Sequence, residues 1–230
     1  IIPLREGLSP SWIYSAVFSP KSSIGRCDVF VRVLTDYNPS YDNTMVGYEG
    51  NFYLEITPLS FNIMVYSGLS MTQFRVKDHY DDQLTSTQLR FEHGLCLKQG
   101  QSSGQPNGIV FGKDRAPIPL EDLNVSSGRL YLHLDLQREI VGFEAKGSPI
   151  EVLDLGKKDY HDVEDFWLPI KRPKNGALVL TPGKFYLLPT KERVKIPPRL
   201  CAEVVPYEIS TGELRTHYAG FFDNGFGGET

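Results

Sequence analysis

Apolar residues in this chain recur at every second position, in runs no longer than a strand, and turn residues cut those runs apart. Phe52, Leu54 and Ile56 alternate with Asn51, Tyr53 and Glu55, the period of a half-buried strand. Ile63 to Tyr66, a Ser67-Gly68 turn and Met71 to Val76 predict a strand, a turn and a returning strand. Leu130, Leu132, Leu134 and Leu136 predict another strand. Sixteen prolines and 21 glycines punctuate the runs, which suits an all-β fold with tight turns better than a helical one.

One helix is signalled. Thr85 and Gln88 have capping-box spacing, Leu84 and Leu89 flank them as a hydrophobic staple, and Gly94 fits a C-terminal stop. The polar, Gly/Ser-rich stretch from Gln99 to Gly108 reads as a linker or long loop, which predicts domains at 1–105 and 106–230. A weak repeat supports two domains. Ile2-Pro3-Leu4-Arg5-Glu6 parallels Leu188-Pro189-Thr190-Lys191-Glu192, and Ser15-Ala16-Val17-Phe18-Ser19-Pro20 parallels Cys201-Ala202-Glu203-Val204-Val205-Pro206. Both blocks step by 186 positions, from Pro3 to Pro189 and from Pro20 to Pro206. Gly47-Tyr48-Glu49-Gly50 parallels Gly225-Phe226-Gly227-Gly228 at a step of 178. Ile1-Ile2-Pro3 reads like the inside of a strand, so the chain is expected to begin mid-domain, with the second domain cut short as well.

Composition narrows the function. Hydrophobic residues make up 40% and charged residues 23%, as in a soluble globular protein. A formal net charge of -4 argues against a nucleic-acid partner held by bulk positive charge, yet leaves room for a single nucleotide on a local basic cluster. The three cysteines, Cys27, Cys96 and Cys201, form no CxxC pair, which argues against a disulfide framework and against a zinc site built from cysteine pairs, and fits a reducing cytoplasm. No apolar run reaches membrane-spanning length, so no membrane partner is expected.

Three segments carry candidate chemistry. Lys21-Ser22-Ser23-Ile24-Gly25-Arg26 brings two hydroxyls, a point charge and a planar guanidinium together, enough to surround a phosphate. An isolated triplet of this kind is more often a solvated turn. Glu55 lies on the strand face opposite Leu54 and Ile56; in a pocket it is a general base, and on an open sheet it is a surface charge. In the segment from His217 to Gly227, Asp223 is suited to a sugar hydroxyl and Phe226 to a sugar or base face, although Asp223-Asn224-Gly225 is also plain turn chemistry. The H-x-E and P-C-x-x-C zinc-deaminase signature is absent. The histidines His79, His93, His133, His161 and His217 form no HExxH pair. The charged and aromatic stretch from Gly156 to Trp167 reads as an interface loop or a solvated surface.

Together these segments resemble the dCTP deaminase and dUTPase superfamily. Lys21-Ser22-Ser23-Ile24-Gly25-Arg26 matches its R-S-S-x-x-R-type motif, with Lys in the leading position. Gly47-Tyr48-Glu49-Gly50 matches the glycine-aromatic-glycine segment, and Leu54-Glu55 the strand that bears the deaminase's catalytic glutamate. Gly68 to Gln73 matches the later G-x-x-x-x-Q strand, and Pro182-Gly183-Lys184-Phe185-Tyr186-Leu187 the P-G-x-[FY]-x-L pattern. The fit is best to the long, duplicated bacterial dCTP deaminases. Met45 stands where the first copy's aspartate is expected, with Asp42 nearby but off register. The second copy keeps Ala219, Asp223, Gly225 and Phe226 but has lost the Ser-Ser-x-x-Arg element.

The resemblance implies a mainly β fold of two dUTPase-like distorted β-barrels of the β-clip type, with a few short helices. It implies hydrolytic deamination of dCTP to dUTP and ammonia, with Glu55, Arg26 and Ser22 catalytic, the working glutamate being either Glu55 or a residue that this chain does not contain. Lys21, Ser22, Ser23, Arg26, Gln73, Ala219, Asp223 and Phe226 would bind substrate. Mg²⁺ is expected to arrive with the triphosphate, and no zinc is expected. In this family the phosphate motif and the sugar loop meet across subunit interfaces, so trimer-type self-association is expected. The rival readings are a dUTPase or bifunctional enzyme, separated by its products, and a decayed nucleotide-binding relative that binds dCTP without turnover.

Overall fold

The computed structural model describes residues 1–9, 13–78, 83–147, 149–205 and 220–228. In chain order the first part holds β1 (Ile2–Leu8), β2 (Ser15–Pro20), α1 (Ser22–Gly25), β3 (Val29–Thr35), β4 (Gly50–Pro58), β5 (Ile63–Met64), β6 (Thr72–Lys77) and α2 (Ser86–Ser103). Then come β7 (Val110–Phe111), a 3-10 turn at Leu120–Asp122, β8 (Val125–Ser126), β9 (Arg129–Leu130), β10 (Ile140–Ala145) and β11 (Leu153–Asp154). The chain continues with α3 (Val163–Phe166), β12 (Trp167–Lys171), β13 (Tyr186–Leu187), β14 (Arg193–Lys195), β15 (Ala202–Glu203), β16 (Phe221–Phe222) and β17 (Gly227–Gly228). The molecule is mainly β, as the alternation predicts.

The first copy is a sandwich. The sheet β1-β4-β3 forms one wall and the antiparallel ribbon β2-β6 the other. Val29, Val31 and Val33 of β3 and Phe52 and Leu54 of β4 point inward against Ala16 and Phe18 of β2, all buried. Phe18 meets Phe52 edge-on at 5.0 Å between ring centres. Ile24 of α1 closes one end of this core. Tyr48 closes the loop before β4: its hydroxyl donates to the Asn51 carbonyl at 2.6 Å. Its ring lies so close to Gly50 that a Cβ there would stand 2.5 Å from the Tyr48 oxygen, which is why the aromatic is followed by glycine.

Several expectations need correction. β5 and β6 do not form a hairpin: β6 pairs with β2, and β5 pairs in parallel with β11 of the second copy. The leucine run keeps only Arg129–Leu130 as strand, because Leu134 meets Thr190 through a single bridge and is exposed. The capping box at Thr85 and Gln88 is present, but α2 does not stop at Gly94. It runs to Ser103 and is capped by Gly104 with φ 70°, so half of the supposed linker is helix. Gly94 sits mid-helix beside Leu120, where a Cβ would make an ordinary contact at 3.4 Å, so the position does not require glycine. His93, Cys96 and Gly100, spaced three and four apart, supply the buried face that holds the extra turns.

His93 is fully buried. Its Nδ1 accepts the Ile109 N–H at 3.0 Å, so its Nε2 carries the proton donated to the Ile118 carbonyl at 2.7 Å. Burial pushes its pKa down, opposed by the bond to Ile118. The neutral form is favoured in the fold. Stability therefore holds above the unfolded value of about 6.5 and is lost as pH falls from there toward the folded value. Urea midpoints should fall between about pH 7.5 and about pH 5.5, and His93→Gln should narrow that difference. An undiminished difference in the variant would place the acid sensitivity elsewhere.

The duplication is visible in hydrogen bonds. Leu8 pairs with Gly50, and the sequence steps of 186 and 178 carry that pair onto Val194 and Gly228, which also pair. Val17 bridges Asn43, and the same steps give Glu203 and Phe221, again a pair. The Phe18 N–H to Asp42 carbonyl bond reappears as Val204 to Gly220. The stretch from Gly156 to Trp167 is mostly exposed surface, and its aromatic end meets the first copy. Phe166 and Trp167 pack edge-on against Phe61, and His161 Nε2 accepts the Asp154 N–H. Buried Asp154 also takes the Tyr66 hydroxyl at 2.8 Å.

Candidate active site

Pro20 ends β2, and the Lys21 N–H makes the last link to the other ribbon strand, at Met71. The Lys21 carbonyl then accepts from Ile24 and Gly25, winding the single turn α1. Ile24 and Gly25 go inward, which leaves Ser22, Ser23 and Arg26 exposed and Lys21 half-buried. The side chains of Lys21, Ser22, Ser23 and Arg26 take no hydrogen bond or ion pair from any described residue. Two cations and two hydroxyls without partners at one corner form a donor set for an anion. Cys27 beside them is not part of it: its thiol donates to the Ser23 carbonyl at 3.2 Å, and burial pushes its pKa up.

Glu55 lies on the outer face of the first sheet, as the alternation predicts, because its neighbour Leu54 is in the core. Its cross-strand partner is Arg32. Arg32 is committed elsewhere: its Nε donates to Asp42 Oδ2 at 2.5 Å, and its guanidinium carbon lies 4.3 Å from the centre of the Tyr41 ring. Asp42 adopts a left-handed backbone with φ 61°, and its Oδ1 accepts the Val33 N–H at 2.8 Å. Burial pushes the Asp42 carboxyl up, bonds from Val33 and Arg32 pull it down, and the charge of Glu55 adds to the rise. Glu55 itself takes no ion pair among the described residues.

Gln73 is opposite Ser19 in the ribbon and shares its strand face with Arg75. Phe74, on the other face, packs on core residue Phe18 at 5.6 Å, so Gln73 and Arg75 face outward. The second copy's antiparallel β15-β16 pair sits on that outer face. Arg75 donates to Cys201 Sγ at 2.8 Å and to Glu203 Oε1 at 2.7 Å, and its guanidinium carbon lies 5.1 Å from the centre of the Phe221 ring. β16 leads into the turn at Asp223, where the Phe226 N–H donates to the Asp223 carbonyl at 3.0 Å and Gly225 has φ 80°. That positive φ is the reason glycine stands there. Asp223 is exposed, and Phe226 rests on Phe222 with ring centres 5.0 Å apart. Ala219 lies outside the described residues.

The fold thus places the candidates in three places. Lys21, Ser22, Ser23 and Arg26 are at one end of the sandwich. Glu55 is on the outer face of one wall. Gln73 lies on the outer face of the other, beside the strand that enters the Asp223 turn. Among the described residues, no hydrogen bond or ion pair joins these groups within one chain. Sequence reasoning missed Arg32 and Arg75 as functional candidates; the signal for Arg32 was a cation alternating with buried valines. Among the described residues no three His, Cys, Asp or Glu side chains are grouped to hold a metal ion, and no helix is long and apolar enough to cross a membrane.

Comparison with known proteins places this arrangement. Residues 1–80 match the family model of the N-terminal domain of 2'-deoxycytidine 5'-triphosphate deaminase, and residues 113–230 match that of its C-terminal domain. No curated protein matches the chain. The fold is similar to the crystal structure of 2'-deoxycytidine 5'-triphosphate deaminase from Agrobacterium tumefaciens, with 36% identity and a TM-score of 0.81. The match covers 97% of this chain and 60% of that one, so the chain spans about three fifths of that protein's length. Two family domains in order, over a fold shared with a solved member, make this chain a member of the 2'-deoxycytidine 5'-triphosphate deaminase family.

Proposed function

We propose that this chain carries the nucleotide site of a hydrolase that converts dCTP and water to dUTP and ammonia. The observation that carries the reading is the pairing of an unpartnered anion-binding corner with an outward carboxylate on the strand where the family bears its catalytic glutamate. The triphosphate would lie on Lys21, Ser22, Ser23 and Arg26, with hydroxyls and cations donating to its oxygens. Mg²⁺ would enter as part of the substrate, held by phosphate oxygens and water. The donor set at this corner, hydroxylic and cationic, suits phosphate rather than a metal ion. Three free thiols fit a cytoplasmic setting.

Glu55 acts as general base. It takes a proton from water as the hydroxide oxygen bonds to C4 of the cytosine ring, and delivers that proton to N3. Glu55 then takes the proton of the C4 hydroxyl as the carbonyl forms and passes it to the departing amine as the C4–N bond breaks. Ammonia leaves, and the atoms balance with one water consumed. Arg26 and Ser22 hold the water and the developing charge in line. Gln73, Ala219, Asp223 and Phe226 hold the base and sugar.

Because the fold puts these groups at separate places on one chain, the site is completed by self-association. A threefold assembly would bring the α1 corner of one subunit to the Glu55 face or the Asp223 turn of the next. The test is ammonia release from dCTP by the full-length protein, with dUTP, dUMP and pyrophosphate followed in parallel. Ammonia with accumulating dUTP is expected. Pyrophosphate from dUTP without ammonia would overturn the reading in favour of a dUTPase. Tight dCTP binding with no product would overturn it in favour of a binding protein.

A further inference from the structure

Glu55 shares its sheet face with a cation that does not neutralise it. The register makes Arg32 and Glu55 direct cross-strand partners, and both are half-buried on the side away from the core. Direct partners have Cβ atoms about 5 Å apart, within reach of a long side chain. Left alone, an arginine in that place would close a planar ion pair on the glutamate. The loop that returns along the free edge of β3 prevents this. Asp42 is fixed there by three backbone-linked bonds: its N–H to the Val33 carbonyl at 2.9 Å, its Oδ1 from the Val33 N–H at 2.8 Å, and its carbonyl from the Phe18 N–H at 2.9 Å. From that position it takes the Arg32 Nε, while the rings of Tyr41 and Phe30 hold the guanidinium at 4.3 and 5.2 Å from their centres. The cation lies between two carboxylates and is bonded to one.

We propose that Arg32, drawn aside by Asp42, is the positioning residue that keeps Glu55 oriented and open to water. This rests on the reading of Glu55 as the general base. Asp42 acts only through Arg32. It holds the guanidinium to one side, which leaves the glutamate's oxygens for the substrate water. The left-handed backbone at Asp42, with φ 61°, is the strained conformation that puts its carboxylate there.

The experiment compares Glu55→Gln, Arg32→Gln, Arg32→Lys, Asp42→Asn and the Arg32→Gln/Asp42→Asn double variant in the full-length protein, by kcat and KM for dCTP. Asparagine keeps the acceptor for the Val33 N–H, so Asp42→Asn spares the backbone. Arg32→Gln should lower kcat by about 10- to 100-fold with KM nearly unchanged, as expected for a group displaced from its working geometry. Arg32→Lys should recover part of that loss, because the charge is kept. Asp42→Asn should also lower kcat, since the freed guanidinium closes on Glu55. The double variant should be no worse than Arg32→Gln alone, because two residues acting through one contact are not additive. Unchanged kcat in either single variant, or additive losses in the double, would overturn the proposal. If Arg32→Gln does not fold, Asp42→Asn alone decides it by the same criterion. Wild-type turnover in Glu55→Gln would instead overturn the underlying assignment of the base.

Discussion

Glu55→Gln abolishes ammonia release and leaves dCTP binding in place. The expected loss is about 10²- to 10⁴-fold in kcat, the range for removing a positioned general base. The substitution is nearly isosteric and sits on the outer face of β4, away from the core made by Phe52 and Leu54 on the same strand. It removes no ion pair, because Arg32 is bonded to Asp42. The phosphate donors lie at and beside α1, before β3 begins, and the β3 segment from Val29 to Arg32 alone adds three residues, or about 10 Å, between them and the Arg32–Glu55 pair. Affinity for the triphosphate should therefore survive while turnover does not. Calorimetric titration with dCTP and a coupled ammonia assay on the same preparation read the two quantities separately. Loss of binding in parallel with turnover would make Glu55 a substrate ligand, and undiminished turnover would remove it from the chemistry.

What the sequence conveys about this molecule depends on the range of the interaction. The outward placement of Glu55 follows from period-two alternation alone, and β4 bears it out residue by residue. The start of α2 is equally local, since a threonine and a glutamine three apart make the capping box wherever the helix begins. Its end is not local. Gly94 has the composition of a stop, but the helix continues because His93, Cys96 and Gly100 find partners beyond it, among them Ile109 and Val110. A glycine inside a helix cannot be told from a cap by its identity alone. The duplication stands between these cases. Two short blocks at one step suggest it, and the pairing of Val194 with Gly228 in the place of Leu8 with Gly50 gives it a structural basis. Arg75 was illegible because its partners, Cys201 and Glu203, are 126 and 128 residues away. The rival phosphate-or-turn reading of Lys21 to Arg26 is decided by no local rule either. Exposed side chains without partners among the described residues suit a solvated turn and an anion site alike, so only binding experiments separate the two.

Mixing two inactive variants restores activity if the site is shared between subunits. Ser22→Ala should be inactive because it removes a hydroxyl from the corner where the reacting water and phosphates are held, and Glu55→Gln because it removes the base. In a cyclic assembly each interface needs the α1 corner from one subunit and Glu55 from its neighbour. Co-refolding the variants in equal amounts then regenerates an intact site at about one quarter of the interfaces, with activity near that fraction of wild type. The same calculation separates the alternatives. If α1 and Glu55 of a single chain serve one site, every chain in the mixture carries a lesion in its own site, and no mixture regains turnover. Asp223→Ala refines the geometry. It should also be inactive, because the aspartate stands exposed in a turn whose strand is anchored to β6 through Arg75. Recovery when Asp223→Ala is mixed with Ser22→Ala would place the turn and the α1 corner on different subunits. Recovery with Glu55→Gln but not with Ser22→Ala would place the turn with the corner. The three pairwise mixtures together assign each group to its subunit, which the fold of one chain leaves in three separate places.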